Sequence, residues 1–284
     1  MNSTGKYFKK IREEKNLSVK ETATGIVTTQ FLGKYENGNS DIRFANLLQL
    51  LSRMNVTTEE FLAHITDNMD TWLLKTEQDL DHAFNAGNSF LMKSFIEKQE
   101  EDYQETRDKK YKYAADIGKD YYNYLFFERY TVDLTEIKNY LRQTEQWGKF
   151  ELFLLTYTRA LFSPDESFLY GKQLLKRKSV STTINQWRCD AALHIILGLL
   201  RANELEKAGK LLDSYFDQLS GNREFCYLHY DLFARYVHGL FLMKMDDPKG
   251  KEQCKKIIDI FSEVLGYTDY ANRLNTIYDF YESH

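Results

Sequence analysis

The sequence predicts an all-α protein in two parts. Five short helices fill residues 1–66, and long paired helices over 67–284 stack as a right-handed solenoid of tetratricopeptide type. Three observations carry this. Only 2 of 284 residues are proline, which is poorly tolerated inside helices and central strands. Apolar residues recur at i, i+3, i+4 spacing along most of the chain. Capping signals cut the first 65 residues into short pieces and the remainder into long ones. Hydrophobic residues at 43% exclude a disordered chain. The 20 Tyr and 19 Phe promise wide aromatic packing or a surface that grips a ligand.

In the first part, residues 5–16 read as a helix with Phe8 and Ile11 on one side. Ser18 with Glu21 three residues on is a capping box, and Gly25 stops the helix it starts. Thr28 caps the next helix, 29–36, and Asn37-Gly38 ends it. Ser40 or Asp41 is expected to cap a longer helix carrying Phe44, Leu47, Leu48, Leu51 and Met54. Thr57 with Glu60 opens the fifth.

From residue 68 on, helices are expected over 68–85, 89–106, 108–127, 133–147, 149–162, 164–178, 182–202, 205–219, 222–246, 249–265 and 268–282. Ser163-Pro164-Asp165-Glu166 and Pro248 are start signals. Gly198-Leu199-Leu200 and Gly239-Leu240-Phe241 each precede another helix, 41 residues apart, within the period of helical-hairpin repeats. Such hairpins stack to bury their apolar faces and leave a concave surface.

Net charge is −4, distributed unevenly. Residues 1–65 hold nine Lys/Arg and seven Asp/Glu, and the rest 29 and 35. Only the first part has the sign that suits phosphate. Three scattered cysteines, an N-terminus without an apolar core and no long apolar run point to a reduced, cytoplasmic protein without membrane contact. No zinc, dinucleotide or P-loop motif is present, so neither cofactor nor enzyme is expected. The acidic run Glu97–Glu105 reads as a solvated helix face, and Tyr121–Tyr130 as core or a dimer contact.

The helix after Thr28 has the layout of a DNA reader. Leu32 and Tyr35 face inward, while Thr29, Gln30 and Lys34 fall largely opposite. Gln pairs with adenine through two hydrogen bonds, and Lys meets guanine or phosphate. Arg12, Ala23 and the Glu36-Asn37-Gly38 ending make residues 5–65 resemble the lambdoid-repressor type of helix-turn-helix. That resemblance implies a structural Arg12–Glu36 ion pair and a phosphate contact at Asn37. This sequence departs from the pattern at Thr22, where Leu is usual, so looser core packing is expected there. Its turn between the two motif helices is also one residue shorter than in phage repressors.

Over nearly its whole length the chain resembles the Rgg/MutR-type transcriptional regulators of Gram-positive bacteria. The resemblance rests on Thr144-Glu145-Gln146-Trp147-Gly148-Lys149-Phe150-Glu151-Leu152, on Tyr236-Val237-His238-Gly239 and on Leu50–Val56. It implies a homodimer that binds a palindromic or pseudo-palindromic operator and senses a short signalling peptide, as in quorum sensing. Thr29, Gln30 and Lys34 inherit base reading, and Thr28 and Asn37 inherit phosphate contacts. Lys20 and Arg43, basic and flanking, are further phosphate candidates. Some relatives carry a cysteine after the recognition helix that can link subunits. Arg43 and Phe44 stand there instead, so that redox feature is expected to be absent.

Where many relatives have a peptide-binding Asn, this sequence has Tyr157 between Thr156 and Thr158. A concave surface holds a peptide through amides on its backbone, aromatics over its apolar side chains and Arg or Lys on its carboxylate. Tyr157, Arg159, Asn185, Arg188, Tyr230 and Arg235 are the candidates. The alternative is a helical-repeat interaction scaffold whose first part docks protein instead of DNA.

Overall fold

The computed structural model describes residues 3–64, 69–126, 129–158, 162–176, 181–220 and 227–283. Every regular element among them is helical. The chain divides into two compact units, Met1–Trp72 and Leu73–His284.

The first unit contains α1 (Ser3–Glu14), α2 (Val19–Ala23), α3 (Thr29–Glu36), α4 (Phe44–Arg53) and α5 (Thr58–Leu62). Phe8, Leu32, Tyr35, Leu50, Leu51 and Phe61 form its core. Ser18–Glu21 and Thr57–Glu60 close complete capping boxes, and the Thr28 hydroxyl accepts from the Phe31 N–H at 3.1 Å. The start of α4 departs from expectation. Neither Ser40 nor Asp41 caps it; Arg43 holds the cap position without a side-chain bond. Ile42 packs partly buried against the core, so the chain stays extended through Arg43 before the helix begins. The buried stripe of α4 is Leu47, Leu50 and Leu51, and Phe44 and Leu48 on its flank are exposed. Thr22 is fully buried, and its hydroxyl donates to the Ser18 carbonyl at 3.0 Å. A Cβ on Gly5 would lie 1.9 Å from the Tyr35 carbonyl oxygen, so α1 meets the end of α3 at a residue that has to be glycine.

α6 (Met69–Asn85) crosses the boundary into the second unit, which also contains α7 (Ser89–Thr106), α8 (Lys109–Leu125), α9 (Thr135–Gln143), α10 (Lys149–Tyr157) and α11 (Pro164–Lys176). The second unit continues with α12 (Thr182–Arg201), α13 (Leu205–Ser220), α14 (Leu228–Lys244), α15 (Lys249–Asp259) and α16 (Thr268–Ser283). The ends expected at 68, 127, 178 and 222 lie outside the described residues, as do Arg159 and Cys226, whereas α9 ends at Gln143 and α10 at Tyr157, short of the expected 147 and 162. Neighbours pack as hairpins, α7 on α8, α11 on α12, α12 on α13 and α14 on α15, while α10 and α14 also pack on α12. Ala191, Ala192, Leu193 and Ile196 of α12 are fully buried. The acidic face Glu97–Glu105 lines a cleft with Lys112 and Lys119, and Lys119 pairs with Glu100 at 2.7 Å.

The two segments of the expected repeat end in the same turn, one that also follows α1, α3, α4 and α6. After α12 the Asn203 and Glu204 N–H groups bond back to Leu200 and Leu199; after α14 those of Asp246 and Asp247 bond to Met243 and Leu242. Asn203 and Asp246 both take the left-handed conformation, at φ 58° and 57°. This Schellman pattern satisfies the last carbonyls of each helix. Between α15 and α16, Ile260–Val264 forms a π-helical turn that carries buried Phe261 against Tyr270 at 4.7 Å. Among the described residues no helix is long and apolar enough to cross a membrane.

Candidate functional site

Two surfaces carry the sequence-predicted residues, one in each unit. In the first unit, burial of Leu32 and Tyr35 turns the opposite side of α3 outward, and Thr28, Thr29, Gln30, Lys34 and Asn37 are all exposed. Gln30 and Lys34 share a face at i, i+4. Lys20 on α2 and Arg43 before α4 are exposed as well. This places two amides and three cations on one small unit without burying any of them.

The reading helix is fixed from behind. Arg12 Nε donates to Glu36 Oε1 at 2.6 Å and Nη2 to Oε2 at 2.9 Å, while Nη1 donates to the Leu17 carbonyl at 2.7 Å. Both side chains are buried, so the fork-to-fork geometry and the third bond offset the cost of desolvating two charges. The bond to Glu36 raises the Arg12 pKa above its ordinary value. Arg53 was not singled out from the sequence. It reaches from the end of α4 to the carbonyls of Thr22, at 3.1 Å, and Thr24, locking α4 to the end of α2. A basic residue in the last turn was the available signal, but its target lies on another helix.

The second surface lies inside the second unit. Its placement begins with the Gln146-Trp147-Gly148 segment. Trp147 Nε1 donates to the Thr144 carbonyl at 3.1 Å, and its ring packs on Tyr170 at 5.0 Å. The Gly148 N–H donates to Glu151 Oε2 at 2.8 Å, and the Tyr140 hydroxyl donates to Glu151 Oε1. Burial, then that bond, pushes the Tyr140 hydroxyl up to about 12. The segment therefore anchors the start of α10, and α10 delivers Tyr157. Tyr157 is buried, and its hydroxyl lies 3.2 Å from Glu77 Oε1 and 3.3 Å from Asp81 Oδ2 on α6.

Around this contact Asp190 of α12, Tyr230 of α14 and Arg273 of α16 share one electrostatic neighbourhood. Burial, then Asp81 and Asp190, pushes the Glu77 carboxyl up to about 7. Burial also raises Asp81, against the opposing charge of Arg273. Burial, then the charges of Asp190 and Glu77, raises the Tyr230 hydroxyl. Arg273 Nη1 lies 3.7 Å from Asp81 Oδ1, with its guanidinium over the Phe84 ring at 5.7 Å. Of the predicted residues, Tyr157 and Tyr230 are brought together here. Arg188 donates to the Leu174 carbonyl on α11. Asn185 sits half-buried in the first turn of α12. Arg235 is exposed and pairs with Asp231 on its own helix at 3.2 Å. Glu77, Asp81, Asp190 and Arg273 were missed. The signal was Asp190, a lone acid entering the buried run of α12, and Glu77 and Asp81 one turn apart beside buried Leu73, Thr76 and Leu80.

A family model described as the HTH-type transcriptional regulator Rgg, C-terminal domain, matches residues 93–276. The chain belongs to that family. A second model, Helix-turn-helix, matches residues 8–61. Among solved structures, the SHP pheromone receptor Rgg2 of Streptococcus dysgalactiae shares 20% identity over 98% of this chain and 99% of its own, with a TM-score of 0.75. The PrgX/cCF10 complex shares 14% over 100% and 93%, with a TM-score of 0.72. ComR from S. thermophilus, in complex with DNA and its signalling peptide ComS, shares 15% over 96% and 98%, with a TM-score of 0.58. At these identities the likeness is one of fold. In Rgg terms, the α3 surface belongs to the helix-turn-helix match and the Tyr157 neighbourhood largely to the C-terminal domain, with Glu77 and Asp81 just before its first matched residue.

Proposed function

We propose that this Rgg-family chain is a homodimeric, cytoplasmic, sequence-specific DNA-binding regulator controlled by a short signalling peptide. Residues 1–66 bind DNA, and 67–284 sense the peptide and dimerise. The chain acts through binding and catalyses no reaction. The observation that carries the DNA half is the outer face of α3, exposed while Arg12–Glu36 holds the helix from behind. Thr29, Gln30 and Lys34 read base edges there, and Thr28, Asn37, Lys20 and Arg43 take phosphates. One helix-turn-helix reads half a site, so two copies on a palindromic or pseudo-palindromic operator match the two-fold symmetry of a dimer. The peptide binds the interior of the second unit, beside Tyr157 and Tyr230.

The test is binding of the purified chain to its own neighbouring intergenic DNA at two salt concentrations, beside a Gln30→Ala/Lys34→Ala variant. Wild type should bind one fragment selectively, and its affinity should fall steeply with salt. The variant should lose that selectivity, since one good two-bond base contact is worth about 1–3 kcal/mol. Binding that ignores both salt and the double substitution would move the DNA-reading role away from α3 and favour a protein-docking scaffold.

A further inference from the structure

The interior of the second unit holds more acid than base. Glu77 and Asp81 stand one turn apart on α6, and Asp190 of α12 bears on both. The permanent cation among them is Arg273, 3.7 Å from Asp81 and outside hydrogen-bond reach of it. His194 Nδ1 lies 3.0 Å from the backbone carbonyl of Asp190 and 3.6 Å from its carboxylate Oδ1. Three carboxyls thus face one guanidinium, 3.7 Å from Asp81, and the imidazole of His194 beside Asp190. Among the described residues no group of His, Cys, Asp and Glu is arranged to hold a metal ion.

A second observation is independent of the acids. Tyr215 of α13 is 1% exposed, yet its hydroxyl reaches the weakly accepting Cys189 thiol and no hydrogen-bond partner of normal strength. Asp190 and Tyr230 both bear on it. A buried hydroxyl left in this state costs free energy that a bound polar group would recover. Tyr121, Tyr157 and Tyr230 supply aromatic surface around the acids. Aromatic faces beside carboxylates suit an organic cation. The neighbourhood already accepts one, since Arg273 combines an ion pair with Asp81 and a ring contact with Phe84.

We infer that the peptide sensed by this domain presents a positively charged group to Glu77, Asp81 and Asp190, beside Tyr157 and Tyr230. Glu77 and Asp190 are then the specificity-determining residues. This rests on the peptide-sensing reading above. The group is a Lys or Arg side chain or the peptide's own terminal ammonium, which share the same chemistry. A like-charged peptide is disfavoured by the same residues.

Two random octapeptide libraries test it, one with free and one with acetylated amino termini. Each is equilibrated with the full-length protein, and the retained pool is sequenced by mass spectrometry. The acetylated pool should be enriched roughly ten-fold in Lys and Arg over Asp and Glu at one position. If the terminal ammonium is the group, the free library should instead be retained roughly ten-fold better. Glu77→Gln/Asp190→Asn should erase the preference, and Glu206→Gln, an exposed acid on α13, should keep it. Equal retention without charge preference, enrichment of Asp and Glu, or a preference unchanged in a folded double variant would overturn the inference and leave peptide sensing standing. Retention of neither library would overturn peptide sensing itself. Should the double variant not fold, the wild-type pools alone still decide.

Discussion

At the scale of single residues, burial and charge set what each functional group can do. Glu77 shows this most directly. Its carboxyl faces Asp81 on its own helix, Asp190 on α12 and the Tyr157 hydroxyl on α10, and it is pushed from 4.5 up to about 7. The folded chain therefore binds this proton more tightly than the unfolded chain does. The stability it contributes is fully present below pH 4.5 and is lost as pH rises through 7. One pKa unit corresponds to about 1.4 kcal/mol, so the loss is at most about 3.5 kcal/mol. Glu77→Gln should flatten the pH dependence of stability between pH 5 and 8 and raise the melting temperature at pH 8. Thermal melts of both proteins at the two pH values check it; parallel curves for wild type and variant would contradict the assignment. Arg12 and Glu36 were legible in the sequence because the helix-turn-helix pattern names both. Glu77, Asp81 and Asp190 were not, because an acid in a helix reads as solvated until the helices around it are placed.

At the scale of elements, helix starts were easier to read than helix ends. Ser18, Thr28 and Thr57 announce themselves by residue type and by the glutamate that follows two of them. Ends were read from glycine, yet Asn16, Asn55, Asn203 and Asp246 also take the left-handed turn. Asn and Asp enter that region at modest cost, so residue type alone does not mark them. The paired glycines of the apparent repeat illustrate the difference. Gly198 is exposed, and a Cβ there would meet nothing within 4 Å. A Cβ on Gly239 would sit 2.6 Å from Cys254 Sγ and 3.1 Å from the Gly250 carbonyl oxygen, where α14 and α15 touch. Gly198→Ala should therefore stabilise by roughly 0.5–1 kcal/mol, the helix preference of Ala over Gly. Gly239→Ala should destabilise by roughly 1–3 kcal/mol through overpacking. Urea denaturation of the two variants reads both signs in one experiment, and equal shifts would mean that the α14–α15 contact yields more easily than its spacing indicates.

At the scale of the whole molecule, charge is uneven along the chain, +2 over residues 1–65 and −6 over the rest, so the two stretches suit different ligands. The fold class was legible because helical spacing and capping repeat along the chain, whereas the interior site draws on α6, α10, α12, α14 and α16, separated by up to 196 positions between Glu77 and Arg273. Regulation requires that the two ligands sense each other through one equilibrium. If the peptide changes the affinity for operator DNA by some factor, DNA changes the affinity for the peptide by the same factor. Coupling of this kind is typically about 1–3 kcal/mol, or roughly 5–150-fold. A peptide recovered from the library selection supplies the ligand. The operator dissociation constant should be measured with and without saturating peptide, and the peptide constant with and without saturating operator, all at one salt concentration because DNA affinity depends on it. The two ratios should agree, and both should differ from one. A ratio of one on both sides would mean that the retained peptide binds without acting as effector, since a ligand with equal affinity for both states shifts nothing however tightly it binds. Asp190→Asn should move both ratios together through weaker peptide binding to the state it favours, whereas Gln30→Ala should weaken operator binding and leave the peptide constant measured without DNA unchanged.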